Sequence, residues 1–553
     1  MDCINRVWLS SDGMDEPTTD RRSLLTAIGA SAGTVALAGC SGGGSDGDGG
    51  GTDENGGGTD ENGGDGDAGG DPFSVSVTQG QDPTTLDPHD HRETSTRTVL
   101  LQTYERLLFR DREGRITDRL ATDYERVAAG EVRFQLRSDV TFHGGESLSA
   151  SDAAYSIRRV VDESTGIASP QAGQLAGITG AEVESETDLR VRSDGFNPLV
   201  VGSLASYCPI VSEEWTSARD PEDIATETNG TGPYRLVDYE QDGLASFERN
   251  EDYWGEQPAV ASATIGGTSE NATRINALLA GETDVVTNVP PQEVSRVREN
   301  GATSIGAVPS TRNLFVVLND RGAPFDSRAF RRAVNYAVDL ESIVENVLEG
   351  FGEPIGQLTI EGSVGYAEDV DPYPYDPERA AELVRESGYE GASFTIHTPT
   401  GRYLRDVQVA QAVAGFVDDL PNVSCDVQQR DFGSLVGEFT DGDQSTSPAA
   451  FLIGSSNPSR DASQKFNSWL LPSSPISHVG DETYADLYEQ AQSTEDPDRR
   501  AELLADINRR SHEEASVLYL HRQFSIYGLS SRVSLTPRQD ELVLLEEFGR
   551  GDA

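Results

Sequence analysis

A mixed α/β fold is what this sequence predicts, on three observations. From residue 73 onward, segments with strand periodicity alternate with longer segments of helical periodicity. No internal repeat is present. No linker interrupts the 482 residues after position 71, a length that supports two or three lobes joined by several chain crossovers.

The first strand is Phe73-Ser74-Val75-Ser76-Val77, alternating at period two. Residues 97–108 place Val99, Leu100, Leu101, Tyr104, Leu107 and Leu108 on one helical face. Val132-Arg133-Phe134-Gln135-Leu136 reads as another strand. Ser149 caps a helix running to Val161, with Asp152 near its start, where the helix dipole favours an acid. Further helices are predicted over 327–350, 377–387, 403–419 and 498–514, with strands over 314–318, 394–397, 423–428 and 450–453 between them.

The prefix has a different character. Asp20-Arg21-Arg22-Ser23-Leu24-Leu25 opens a twin-arginine type of signal, and the apolar run after it ends in Leu37-Ala38-Gly39-Cys40, which resembles a lipobox. The run is about fifteen residues long and diluted by Gly29, Ser31, Gly33 and Thr34, short of the ~20 that span a bilayer. Residues 1–40 are therefore expected to be a lipoprotein signal, with Cys40 as the lipidated residue, and the start codon is Met1 or Met14. Residues 41–71 are almost wholly Gly, Asp, Glu, Asn, Ser and Thr, which predicts a disordered acidic tether with a mean reach of about 30 Å. The expected location is the cell surface, on the outer face of the cytoplasmic membrane, reached by twin-arginine export.

The chain carries 94 acids against 43 basic residues, and residues 72–553 alone hold 80 against 40. Lys465 is the single lysine. In molar salt the Debye length falls to ~3 Å, so such a surface repels itself little and stays hydrated. The pattern resembles that of proteins from extreme halophiles. No basic stripe is available to neutralise phosphates, which disfavours nucleic acid. Cys208 and Cys425 are far apart, lack CxxC spacing and are expected as buried free thiols. Asn271 and Asn422 head glycosylation sequons.

Several segments are together similar to the family 5 extracellular solute-binding proteins of ABC transporters, the peptide- and nickel-binding group, in a haloarchaeal lipoprotein form. They are Thr85-Leu86-Asp87-Pro88, Tyr104-Glu105-Arg106-Leu107-Leu108, Leu120-Ala121-Thr122-Asp123-Tyr124, and the stretch from Phe134 through His143-Gly144-Gly145-Glu146 to Asp152. Gly230-Thr231-Gly232-Pro233-Tyr234, Tyr253-Trp254-Gly255, Ala323-Pro324-Phe325-Asp326, the block 332–339 and Tyr375-Asp376-Pro377 continue the order over residues 73–535. The resemblance implies a two-lobed periplasmic-binding-protein-like fold (type II, cluster C) with an extra inserted domain. Lobe one would be 72–110, 205–305 and 516–545, the insertion 111–204, and lobe two 306–515, all within a solute-binding domain of 72–545. It implies a monomer that captures oligopeptides or dipeptides by lobe closure and delivers them to ABC permease subunits with cytoplasmic ATPases.

Ligand contacts are expected on loops at strand ends facing the cleft. The candidates are Thr85 and Asp87, Arg312 and Asn313, Gly401, Arg402 and Tyr403, and Ser455, Ser456, Asn457, Arg460 and Asp461. Arg402 offers the planar fork that pairs with a carboxylate. Peptide-binding members typically carry a Trp and then an Asp for the peptide ammonium near Asn457-Pro458. This chain has neither before Asp461, so either Asp461 takes that role or the solute has no amine there. A sugar, a small acid or a cofactor-like molecule stays open, as does a surface sensor.

The remaining motifs read as structure. Gly230, Gly232 and Pro233 set a tight backbone path, His143 fixes a turn, and Tyr253-Trp254 caps a core. His89-Asp90-His91 reads as a solvated loop and no metal or cofactor is expected. Gly29-Ala30-Ser31-Ala32-Gly33 has nucleophile-elbow spacing but lies in the signal, and His512 lacks a zincin's second histidine, so no enzyme is expected.

Overall fold

The computed structural model of the chain describes residues 72–240, 243–440 and 447–551. The expected signal and tether, with Arg21, Arg22 and Cys40, lie outside these residues. Ser74–Gln79 forms the first strand, burying Val75 and Val77 and leaving the intervening side chains less covered. It pairs in parallel with Ser262–Gly267 and with Val285–Val286. These belong to an eleven-stranded sheet centred on a long antiparallel pair, Thr303–Leu318 with Val517–Ser530. To one side follow Val285–Val286, Ser74–Gln79, Ser262–Gly267, Ala245–Arg249 and Tyr234–Tyr239. To the other follow Ala450–Ser456, Ser393–Pro399 and Ser424–Arg430.

The central pair slips register in its middle. Pro309 stands opposite Phe524 and Asn313 opposite Arg522, so Ser310, Thr311 and Arg312 face Gln523 alone. The backbone freed there bonds outside the pair: Thr311 N donates to Gln539 O at 2.9 Å, and Thr311 O accepts from Asn457 N at 2.9 Å. A separate antiparallel sheet has the order Ala121–Ala128, Glu131–Leu136, Asp188–Ser193, Ile178–Val183 and its own apolar core. Helix Ala150–Val161 packs on it, opened by the capping box of Ser149 and Asp152.

Three predicted helices differ in extent. The helix predicted over 97–108 is Thr94–Leu100, because the carbonyls of Gln102 and Thr103 accept instead from Tyr234 N and Gly232 N. That approach needs glycine: a Cβ on Gly230 would sit 1.9 Å from Thr103 O, and one on Gly232 2.7 Å from Gln102 O. The 327–350 segment is two helices, Arg328–Ala337 and Leu340–Asn346, because Asp339 caps the second by accepting from Ser342 N. The 403–419 helix begins only at Asp406, whose carboxylate accepts from the backbone of Gly401, Arg402 and Tyr403. His143 does fix a turn, through a 2.9 Å bond to Gly232 O; burial holds its pKa at about 4, so the neutral ring donates from Nε2. Cys208 and Cys425 are buried free thiols.

Glu105, 3% exposed, ties several of these pieces together. Its carboxylate accepts from Arg119 Nε at 2.5 Å, Thr231 Oγ1 at 2.8 Å, Tyr253 OH at 2.9 Å and Trp254 Nε1 at 2.9 Å. Arg119 also forks onto Glu546, so a buried cation between two acids closes the cluster. Lys465 is the opposite case. It is 2% exposed, and its Nζ donates to Ser455 O with no carboxylate in reach among the described residues. Burial first, and Arg312 next, draw its pKa well below the ordinary lysine value.

Two outcomes follow from these burials. Glu105→Gln leaves Arg119 short of one counter-charge and turns an amide donor toward other donors; it is expected to cost about 3–5 kcal/mol in denaturant unfolding. A loss under 1 kcal/mol would show that the cluster is not a keystone. A lysine with a depressed folded pKa binds fewer protons folded than unfolded, so its stability contribution is unfavourable below the unfolded pKa of about 10.4 and improves as pH rises toward it. Lys465→Met is therefore expected to melt higher than the parent at pH 7, with the gap narrowing toward pH 10; a pH-independent gap would contradict a lowered Lys465 pKa.

Candidate functional site

The register slip at 310–312 gathers several of the sequence candidates. Arg312 and Asn313 lie within a strand and not on a loop before it, and they pair with Ser456 and Ser455. Arg312 bonds Glu541 through Nε at 3.4 Å and Nη2 at 3.3 Å. Asn313 is fully buried and donates to Leu358 O at 3.0 Å. Tyr403 OH donates to Gly454 O at 3.2 Å, which brings Gly401 (φ 75°), Arg402 and Tyr403 beside the same strand end. Trp469 Nε1 donates to Ser455 Oγ at 3.1 Å, while Ser456 is exposed.

Arg402 is the open cation of this group. Its guanidinium is exposed, 5.1 Å from the Tyr403 ring centre and 5.3 Å from that of Phe432, and donates to no acceptor among the described residues. Its pKa is nevertheless lowered, by burial first and then by Arg312. The two rings flank the fork, and its N–H groups remain unbonded among the described residues.

Other candidates are committed to structure. Asp461 caps helix Ala462–Trp469 by accepting from Ser463 N, and both its oxygens hold Arg500, at 2.7 and 2.9 Å. It is 8% exposed, and its charge is already matched by Arg500. Asn457 Nδ2 donates to Asp461 O at 3.0 Å, bracing the same turn. Arg460, at φ 53°, lays its side chain over Gly114, where a Cβ would fall 1.9 Å from Nε, and donates to Gln539 Oε1. Asp87 forks onto Arg159 at 2.6 and 2.8 Å, and Thr85 Oγ1 accepts from Asp87 N. Both side chains turn inward.

His89 and His91, expected on a solvated loop, are buried instead. Burial takes their pKa values to about 4 and about 3, so both rings are neutral. His89 accepts from Arg159 at Nδ1 and donates from Nε2 to Pro209 O at 2.7 Å, a partner 120 residues away that no local pattern signals. Among the described residues no group of His, Cys, Asp and Glu could hold a metal ion. Tyr253 and Trp254 are engaged with Glu105, as a core-capping pair would be.

Sequence reasoning missed the segment 538–541, which underlies the junction of residues 310–312 with 456–460. Arg538 bonds Asp540, Glu547 and Arg110 O; Gln539 meets Arg460 and Thr311; Glu541 meets Arg312. Arg110 in turn donates to Ser459 O at 2.6 Å. The contacts of Arg538 with Arg110, of Glu541 with Arg312 and of Arg110 with Ser459 join residues hundreds of positions apart, so only the fold reveals them.

The profile of the bacterial extracellular solute-binding proteins, family 5 middle region, matches residues 115–475. The glutathione-binding protein GsiB of Shigella boydii is 26% identical over 355 residues, covering 62% of this chain and 68% of that protein. Its counterpart from Salmonella paratyphi A is 27% identical over 354 residues, with the same coverage. Among solved structures, the substrate-binding protein CtaP of Listeria monocytogenes superposes with a TM-score of 0.79 at 21% identity, over 87% of this chain and 100% of that one. The dipeptide-binding protein of a Pseudoalteromonas species in complex with Met-Leu gives 0.73 at 20%, over 86% and 100%. The fold is thus the two-lobed one of periplasmic binding proteins, and the chain, a binding protein and not an enzyme, belongs to the family 5 extracellular solute-binding proteins.

Proposed function

We propose that this chain is the surface receptor of an ABC importer for a peptide-like solute carrying a carboxylate. The observation that carries the reading is Arg402: an exposed, ring-flanked guanidinium without an acceptor among the described residues, in a chain with two acids for every base. Support for a peptide-like solute comes from the glutathione-binding relatives and from the neighbour that holds Met-Leu. Lobe one is taken as 72–110, 205–305 and 516–545, the insertion as 111–204 and lobe two as 306–515. Solute bound by both lobes populates the closed state by differential affinity. Residues 1–40 direct twin-arginine export, Cys40 carries the lipid, and 41–71 tether the receptor to the outer face of the membrane, where a permease meets it at high local concentration. The acidity suits a halophile's molar salt.

A second reading is an acid solute without an amine. It is favoured by the pairing of Asp461 with Arg500 and its helix-cap bond, which already match that carboxylate's charge. Thermal shifts of the full chain in molar salt against short peptides, sugars and small acids separate the two. Arg402→Ala is expected to weaken a carboxylate solute roughly 10–100-fold, as loss of a charge-assisted hydrogen-bond pair does. Unchanged affinity would remove Arg402 from the site.

A further inference from the structure

A second group of cations lies on the lobe-one side of the junction. Arg97 sits 5.5 Å from the centre of the Tyr207 ring, half-buried, and its guanidinium donates to no acceptor among the described residues. Arg106 is 6% exposed; Nη1 reaches Ala205 O at 3.2 Å, and Nε is buried without a partner. Arg110 donates only to neutral oxygens, Ser206 Oγ, Gly114 O and Ser459 O. Tyr207 is 6% exposed and its hydroxyl has no hydrogen-bond partner among the described residues. The acid whose charge acts most on Arg106 is Asp540, whose two oxygens already hold Arg538.

This arrangement is unfavourable as it stands. Burial and then Arg97 lower the Arg106 pKa to about 9, still cationic at neutral pH, and the same two arginines, with Arg92 and Arg110, are the charges acting on Tyr207. Like charges gathered away from water repel, and an unmet buried donor is costly. In a chain with 94 acids, three clustered arginines that meet no carboxylate among the described residues carry charge that an anion from outside would match. Arg110 fixes where that anion lies, because its Nη2 bond to Ser459 O, across 349 residues, puts the cluster against the strand-end segment that follows Ser456.

We infer that Arg97, Arg106 and the Tyr207 hydroxyl form a second anion subsite, so that the solute carries at least two acid groups, one for this subsite and one for Arg402. The inference rests on the solute-receptor reading above and narrows it: neutral and basic peptides are poor ligands, and acidic peptides or diacids are good ones.

The test is isothermal titration of the full chain in molar salt with trialanine and its six variants carrying Glu or Gln at one position. The expected result is that Glu binds about tenfold or more tightly than Gln at one position. Arg97→Gln should remove most of that preference while leaving the Gln peptide within about twofold, and Tyr207→Phe should reduce it by a smaller factor. Arg97 is half-buried and unbonded, and the Tyr207 change deletes one unpartnered oxygen, so both variants are expected to melt near the parent. Peptides that bind with Glu and Gln alike at all three positions would overturn the subsite and leave the peptide receptor standing. The same result follows if Arg97→Gln weakens both series equally. If no peptide binds, glutarate against its monoamide is the second probe. Arg97-dependent preference for the diacid would uphold the subsite and sink the peptide reading, and no preference would overturn both.

Discussion

One carboxylate organises the first half of the molecule. Glu105 draws donors from residues 119, 231, 253 and 254 onto its two oxygens. The donors come from three separate segments of chain, and none could be buried unpaired without a penalty of a few kcal/mol. Satisfying them together fixes where the 230–234 strand entry lies against 102–104, which is why glycine alone fits at 230 and 232. The same constraint cuts the first helix short at Leu100, since its next carbonyls are taken by the neighbouring segment.

Arginine repeats this design elsewhere. Arg159 with Asp87, Arg500 with Asp461 and Arg538 with Asp540 and Glu547 are each nearly dry and each held by two or more bonds. A guanidinium suits such places because its fork matches a carboxylate and it loses its charge with difficulty. Salt at molar strength screens exposed pairs, yet reaches buried ones little. The interior pairs therefore hold the fold where the acidic exterior cannot contribute.

Much of the architecture was legible beforehand, for physical reasons that differ by element. Strand Ser74–Gln79 and helices Ala150–Val161, Pro377–Ser387 and Pro497–Glu513 follow from local periodicity and caps, and the structure contains all four. Asp339 could have announced the break between Arg328–Ala337 and Leu340–Asn346, being a good cap in mid-segment. The candidate site was legible only in part. Arg402, Tyr403 and Ser456 fall where strand-end reasoning put them, and Arg312 and Asn313 meet them from inside a strand. Asp87 and Asp461 looked like free acids because nothing in the sequence reveals that Arg159 and Arg500, 72 and 39 positions away, will hold them. Tyr207 and the 538–541 segment had no local signal at all.

The sheet's connectivity bears on how the chain is made. Ser74–Gln79 pairs with Val285–Val286, which pairs in turn with Leu529 and Gly528, and Gln102 Nε2 reaches Val543 O across 441 residues. The earliest part of the body thus has no complete sheet until the last residues emerge from the ribosome. By contrast, the strands Ser393–Pro399, Ser424–Arg430 and Ala450–Ser456, with the outer end of Thr303–Leu318, lie within one continuous stretch and close among themselves earlier. Ordering is then late and depends on the whole chain, because the entropy of closing so long a loop is met only when both ends are present. A protein of this topology gains from finishing its fold before it crosses a membrane, since a partly threaded chain would hold its first strands exposed and waiting for partners still on the other side.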